Sequence, residues 1–270
     1  RYCNSRTLAS AWSSAGAGAM FTWAYYAYSG KMSNGTRVVQ ANWWANQYGN
    51  VIEYITASSL GSSGYFGSAG MSVYGSRGGS NGTTGIFAGG RSSGGAENLK
   101  RYITIASTGN GSSYGNLYAY RDRGGSASGA TYFTTFGGYG VTNWDYASFS
   151  SSNNSTNAGN LEGGGSPRYN YDCDAIDGGV GSSRIILAGG AWQNGGHGDA
   201  MFHYSTASWG VGTDYANMAN AREANSTTGD GTYGVIAGGQ GQQAYETGTL
   251  IFNTASLGAA TVGANGLSAG

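Results

Sequence analysis

Short apolar runs that end in a pair of glycines recur along the chain at a spacing near 50 residues. The closing glycines are Gly90, Gly138, Gly190 and Gly239. A run of this kind is typical of a strand that is buried on both faces and ends where the backbone turns. The runs comprise residues 85–90, 133–138, 185–190 and 234–239.

Two degraded copies extend the pattern toward the N-terminus, at 6–12 and 37–43. Both align on 184–190, and Trp12 or Trp43 stands where the second glycine would be. The sequence therefore holds six copies of the run. The first copy is short, 31 residues from Trp12 to Trp43, and it lacks the third element that the other copies carry.

A second strand, rich in Tyr, Phe, Ile and Thr, follows each glycine-terminated run. A weaker third element such as Tyr114 to Leu117 comes next, and then an arginine and a polar Gly/Ser/Asn link. A repeat of about 48 residues with three or four short strands predicts a propeller blade. The competing β-solenoid would need shorter coils of roughly 20–30 residues. The second strands are predicted at 20–28, 51–58, 99–107, 142–149, 200–208 and 249–256.

The two ends of the chain continue one another in the repeat. The uninterrupted passage 217–222 is divided, in the last copy, between residues after Asn265 and the N-terminal residues from Arg1. We therefore expect an all-β, six-bladed propeller, closed by adjacent N- and C-termini, as a single domain over 1–270. Closure removes strand edges that would invite aggregation. The predicted blades are approximately 1–33, 34–80, 81–127, 128–180, 181–228 and 229–270.

Composition narrows the class of protein. Glycine supplies 52 residues without a Gly-X-Y period, so collagen is excluded, and the 36 aromatic residues (7 Trp, 21 Tyr and 8 Phe) argue against disorder. Charged residues make up 10% of the chain and the net charge is zero, which disfavours nucleic acid and anionic membranes as partners. The sequence contains no run of 18 apolar residues, so it predicts no transmembrane helix. The composition favours a virion or extracellular location.

Candidate chemistry is sparse. The histidines His197 and His203 are too few for a typical metal site. Three aspartates surround Cys173 and could offer oxygen ligands to Ca²⁺, although a solvated loop or pairing with Arg168 explains them as well. We expect no metal, no cofactor and no catalytic residue, with glycosidase-type carboxylates as the open alternative. Cys3 and Cys173 form either one bridge or two free thiols. The aspartates are Asp172, Asp174 and Asp177.

The repeat resembles the kelch repeat, in which an apolar run ending in Gly-Gly precedes an aromatic strand and a hydrophobic element that leads to arginine. The passage 102–110, with 115–117 and Arg121, is similar to kelch-like repeats in structural and tail proteins of bacteriophages. The resemblance covers nearly the whole chain. It implies a propeller, and it is only weakly specific for function.

Arginines at the blade junctions form a repeating set, with Lys31 in the short copy. Each could bond carbonyls or a carboxylate of the next blade. The kelch resemblance implies another role, because kelch proteins bind partners on the face shared by the junctions and the loops after Gly-Gly. The set comprises Arg1, Arg77, Arg121, Arg168 and Arg222.

The loops after the Gly-Gly strands are the predicted binding site, since loops on rigid scaffolds carry function. They combine aromatic rings, which can stack on a ligand, with amides, which can bond hydroxyl groups. The predicted binding residues are Trp44, Gln47, Tyr48, Trp192, Gln193, His197, Gln242 and Tyr245.

These patterns predict a non-enzymatic propeller of a virus particle, in a tail, fibre or capsid surface. It would bind a host-surface glycan or protein, or other virion proteins during assembly, and a homo-oligomer within the particle is left open. The chain starts at Arg1 rather than Met, which suggests an excised piece. A secreted or cell-surface lectin-like propeller is the first alternative, and a propeller enzyme such as a glycosidase is the second.

Overall fold

The computed structural model describes residues 29–41, 49–58, 63–161, 174–177, 183–191, 196–223, 225–229, 231–241, 248–254, 256 and 260–265. Within these ranges the secondary structure consists of 21 strands in five small sheets. These ranges contain no helix, and therefore no helix that is long and apolar enough to cross a membrane.

Four of the five sheets follow chain order, so that each of their strands lies beside its neighbours in sequence. The first sheet contains β1 (Gly30–Ser33), β2 (Arg37–Ala41), β3 (Gly49–Thr56) and β4 (Gly64–Val73). The second contains β5 (Arg77–Ser80), β6 (Thr84–Ala88), β7 (Arg91–Ser92), β8 (Gly95–Thr104) and β9 (Ser112–Arg121). The third contains β10 (Gly125–Ser128), β11 (Tyr132–Phe136), β12 (Asn143–Ser148) and β13 (Thr156–Asn160). The fourth contains β14 (Asp174–Asp177), β15 (Arg184–Ala188), β16 (Ala200–Ser205) and β17 (Thr213–Asn217). The fifth contains β18 (Ser226–Gly229), β19 (Tyr233–Ala237), β20 (Gly248–Asn253) and β21 (Thr261–Asn265).

The short strand β7 is the one departure from the simple order, since it forms a small hairpin with the beginning of β8. The arrangement is an all-β, propeller-like fold, as the repeat predicted.

The predicted number of six blades is wrong: the described residues form five. The end of the short first copy, Gly30–Ser33, pairs with β2 and serves as the first strand of the following sheet. The remainder of that copy, with the runs at 6–12 and 20–28, lies outside the described residues, as do residues 266–270. Closure through adjacent termini therefore stays a prediction.

The chain divides into two compact units. One comprises Ala15–Thr135 and Asp145–Asn157, and it contains the first two sheets and β10. The other comprises Arg1–Ser14, Phe136–Trp144 and Ala158–Gly270, and it contains the last two sheets. Within each unit the core lies between successive sheets. Val39, Ile52 and Phe66 of the first sheet, for example, share one apolar cluster with Phe87 and Ile103 of the second.

The first strands of neighbouring sheets contact one another within each unit. The Ser80 hydroxyl donates to the Ser33 carbonyl at 2.6 Å and accepts from the Ser33 N–H at 3.2 Å. The Ser128 hydroxyl makes the same two bonds to Ser80, at 3.0 and 2.8 Å. Close approach requires a small residue here, since a Cβ on Gly78 would lie 2.7 Å from the backbone nitrogen of Lys31. Serines that lie 47 and 48 residues apart in sequence thus form hydrogen bonds between successive sheets.

Connections between strands fall into a constant and a variable class. Seven residues separate the third main strand from the fourth in all five sheets, at 57–63, 105–111, 149–155, 206–212 and 254–260. The connections after the Gly-Gly position vary from six to eleven residues, at 42–48, 89–94, 137–142, 189–199 and 238–247. In an antiparallel meander these variable connections lie at the end where the fourth strand leaves the sheet.

Candidate functional site

The glycine pairs fix the end of each sheet at which the variable connections lie. Gly90 and Gly190 have φ of 100° and 102°, a region that favours glycine over other residues. Their N–H groups donate to the carbonyls of Arg121 and Arg222, at 2.8 and 3.0 Å. A Cβ on Gly90 would also lie 2.6 Å from the Tyr74 carbonyl oxygen. The Gly-Gly turn is therefore tied to the junction arginine of its own sheet.

The Arg121 side chain is 3% exposed and forms a buried ion pair, with its Nη2 3.2 Å from Asp145 Oδ2. Asp145 also accepts hydrogen bonds from the Thr135 hydroxyl at 2.5 Å and the Tyr118 N–H at 3.0 Å. These partners satisfy the carboxylate on both oxygens. The group holds the end of β9 against the third sheet, and it gives Arg121 a structural role.

The other junction arginines differ in their contacts. Arg222 is 1% exposed, and its Nη1 donates to the carbonyls of Gly238 and Gly248 at 3.1 and 3.2 Å. Arg77 is also buried, at the start of β5. Lys31 is exposed on β1. The remaining predicted members, Arg1 and Arg168, lie outside the described residues.

An acid follows each of two junction arginines and meets a basic side chain from the variable connection of the same sheet. Asp122 Oδ2 lies 3.5 Å from Arg91 Nη1, and Glu223 Oε1 lies 3.6 Å from His197 Nε2. Sequence reasoning named His197 and missed the two acids. The signal that could have found them is the repeated Arg-acid pair at 121–122 and 222–223.

Asp122 has the more strongly charged surroundings. Its side chain is 1% exposed, and its Oδ1 lies 3.6 Å from Arg123 Nε. Burial raises the pKa of the Asp122 carboxyl, and the positive charges of Arg123, Arg91 and Arg77 oppose that rise. Arg123 has a φ of 58°, an uncommon conformation for a residue with a side chain. This sharp backbone turn brings its guanidinium beside the carboxylate of the preceding residue.

A shallow recess of about 10 Å³, partly open to solvent, lies at the same end of the second sheet. Arg77, Arg121 and Thr135 supply polar walls, and Gly90 and Leu117 lie beside them. A recess of this size has room for about one water molecule.

Two exposed tyrosines mark the same stretch of β9. Tyr118 is 57% and Tyr120 61% exposed, while Leu117 and Arg121 on either side of them are buried. The pairing with β8 is irregular here, because Leu99 faces Asn116 and Glu97 faces Arg121. A bulge of this kind commonly redirects side chains. It directs two aromatic rings outward beside the junction arginine.

The opposite end of the sheets is closed by contacts between successive sheets. The constant seven-residue turn contributes Asn110, whose Oδ1 accepts from the Ser68 N–H at 2.9 Å. Likewise, Asn154 Oδ1 accepts a hydrogen bond from the Asn116 N–H at 3.0 Å. Buried Lys100 donates to the Asn153 carbonyl at 2.8 Å. This end is therefore occupied by structural contacts.

Most predicted binding residues cannot be placed on these sheets. Trp44, Gln47, Tyr48, Trp192, Gln193, Gln242 and Tyr245 lie outside the described residues. Asp172, Cys3 and Cys173 lie outside them too, and Asp174 and Asp177 are described only as the ends of β14. His203 is half-buried, and burial together with the nearby Arg184 lowers the pKa of its imidazole.

No group of three or more His, Cys, Asp or Glu side chains that could hold a metal ion occurs in the part of the chain that the structure describes. No protein-family model matches the chain, and no curated protein matches it.

Proposed function

We propose that this chain is a non-enzymatic binding module of a virus particle, placed in a tail, fibre or capsid surface. It would contact a host-surface glycan, a host protein or a neighbouring virion protein. The observation that carries the proposal is the contrast between seven-residue turns of constant length and Gly-Gly connections of six to eleven residues. A constant scaffold with variation at one end of each sheet is the usual design of a binding protein.

The charged residues support a binding role over catalysis. Arg121, Asp145 and Arg222 are buried and engaged in contacts between strands and sheets. A general acid or base must instead reach its substrate within hydrogen-bond distance. With these groups committed to the scaffold, the variable connections are the better place for function.

The likeness to kelch-like bacteriophage repeats supports the virion assignment. The residues that carry this likeness have structural roles here: Asn110 bonds the preceding sheet, and a Cβ on Gly115 would lie 2.8 Å from the Asn153 carbonyl group. This part of the repeat thus specifies how neighbouring sheets dock. It leaves the ligand to the connections that follow Gly-Gly.

Glycan-array binding by the purified chain tests the proposal, with Trp44→Ala, Trp192→Ala and Tyr245→Ala as loop variants. We expect the loop variants to lose binding and Tyr65→Ala, at an exposed strand position, to retain it. Proteomic analysis of purified virus particles tests the assembly role. Absence of the chain from the particles, together with an array that shows no binding, would contradict the proposal.

A further inference from the structure

We propose that the end of the second sheet binds an acidic saccharide, with Arg91 and Arg123 pairing its carboxylate or sulfate and Tyr118 and Tyr120 stacking on its rings. This inference rests on the proposed function and deepens it, because it names both a site and a ligand class. Arg91 lies in a connection after Gly-Gly, the class of loop predicted to bind, whereas Arg123, Tyr118 and Tyr120 lie outside those loops.

The charge balance supports an anionic ligand. The carboxylate of Asp122 is surrounded by Arg77, Arg91 and Arg123. The other nearby acid, Glu97, accepts a hydrogen bond from the Ser92 hydroxyl at 2.6 Å. Three cations against two carboxylates leave the cluster positive in a chain of zero net charge. The Arg121–Asp145 pair is neutral and adds nothing to this balance.

The arginines are held in place and still face solvent. Arg91 is 44% and Arg123 29% exposed, and both contact the buried carboxylate of Asp122. The backbone of Arg91 is anchored too, since it exchanges two hydrogen bonds with Tyr74 at 2.7 and 3.0 Å. A guanidinium that is already oriented loses little conformational freedom on binding, and its planar fork matches a carboxylate or sulfate.

The aromatic side chains favour a saccharide over a free anion. Tyr118 and Tyr120 are both exposed and stand two residues apart on β9, so they lie on one side of the strand. Their separation of about 7 Å is the spacing of successive residues on one strand face. Tyrosine rings can cover the apolar face of a pyranose and leave its hydroxyls to water.

The decisive experiment is binding of the purified chain to matched pairs of oligosaccharides that differ only in a carboxylate or sulfate. We expect the acidic member of a pair to bind more tightly, and that preference to weaken as ionic strength rises. Arg91→Gln should weaken binding by about tenfold, the effect of losing one charge-assisted contact. Tyr120→Ala should weaken it by up to about tenfold, the effect of losing one aromatic stacking contact. Tyr120→Ala leaves the ion cluster intact and so separates binding from folding.

Arg101→Gln and Tyr65→Ala are matched controls, because they remove the same side-chain types elsewhere on the first two sheets. Equal binding of neutral and acidic members, or unchanged binding by Arg91→Gln and Tyr120→Ala, overturns the inference while the proposed glycan-binding function stands. Binding of a polyglutamate peptide in place of the acidic saccharides overturns the ligand class. An array with no binding at all overturns the inference and leaves only the assembly role.

Discussion

The ammonium of Lys100 lies 2.8 Å from the carbonyl oxygen of Asn153, on the seven-residue turn of the next sheet. It also donates to the Ser155 hydroxyl at 3.0 Å. The Trp144 indole makes the corresponding bond to the Gly210 carbonyl at 2.7 Å. Unrelated side chains thus satisfy the same turn carbonyl, and in the second sheet the donor is a buried charge.

Lys100→Met is expected to leave stability at pH 7 within about 1 kcal/mol of the wild type, because relief from burying a charge offsets the loss of the hydrogen bonds to Asn153 and Ser155. Lys100 pairs with Ala88 on β6, as Met201 pairs with Ala188 on β15, so methionine is already accepted at this position. Denaturant titration measures the difference. Lys31→Met, at an exposed lysine, is the control and should change little.

The pH dependence of the same variant gives an independent check. Burial lowers the pKa of Lys100 from 10.5 to about 8, with Asp145 opposing the shift. Between these values the folded chain has released a proton that the unfolded chain still holds, so wild-type stability rises with pH relative to Lys100→Met. Below pH 8 the difference should be constant. A difference that is flat up to pH 10.5 would contradict the assignment.

Asp145→Asn is expected to destabilise the protein by about 3–5 kcal/mol, since it leaves the Arg121 guanidinium buried without its counter-charge. Arg121→Met combined with Asp145→Asn should cost less than the sum of the two single changes. Val73 occupies the position of Arg121 in the first sheet, so an apolar residue fits there. Additive costs in chemical denaturation would show that the pair is not coupled.

Gly90→Ala tests the Gly-Gly turn. The φ of 100° strains any residue with a Cβ, by about 1–3 kcal/mol, and the new Cβ would approach the Tyr74 carbonyl oxygen to 2.6 Å. We expect a loss of more than 2 kcal/mol, an estimate that combines strain with the clash. Gly94→Ala is the matched control, because its Cβ would find nothing nearer than 3.6 Å. Equal stability of the two variants would refute the turn requirement.

The sequence predicted the strands that carry a hydrophobic signal and missed those that do not. The Gly-Gly strands and the aromatic strands were found because apolar side chains bury them. The first strands Arg77–Ser80, Gly125–Ser128 and Ser226–Gly229 were taken as polar links. Close approach to neighbouring first strands requires glycine at positions such as Gly78 and Gly79, and these short strands carry no apolar pattern to detect.

The candidate site was harder to predict than the fold. Arg121 and Arg222 were named from their repeat position, but the sequence left open whether they bond carbonyls, a carboxylate or a partner. Asp122 and the tyrosines at 118 and 120 were missed as site residues. Their juxtaposition depends on the β9 bulge and on the positive φ of Arg123, and neither can be inferred from residue types alone.

The asparagines of the seven-residue turns offer a test of how successive sheets dock. Asn110→Ala removes the acceptor of the Ser68 N–H, and we expect a loss of about 0.5–1.5 kcal/mol and faster hydrogen exchange at that amide. Asn154→Ala should instead expose the amide of Asn116, so each variant is the control for the other. Asn110→Asp retains an acceptor oxygen and should keep the Ser68 amide protected. If either alanine variant exchanges faster at both amides, the substitution destabilises the whole domain. That result would contradict an independent hydrogen bond at each sheet junction.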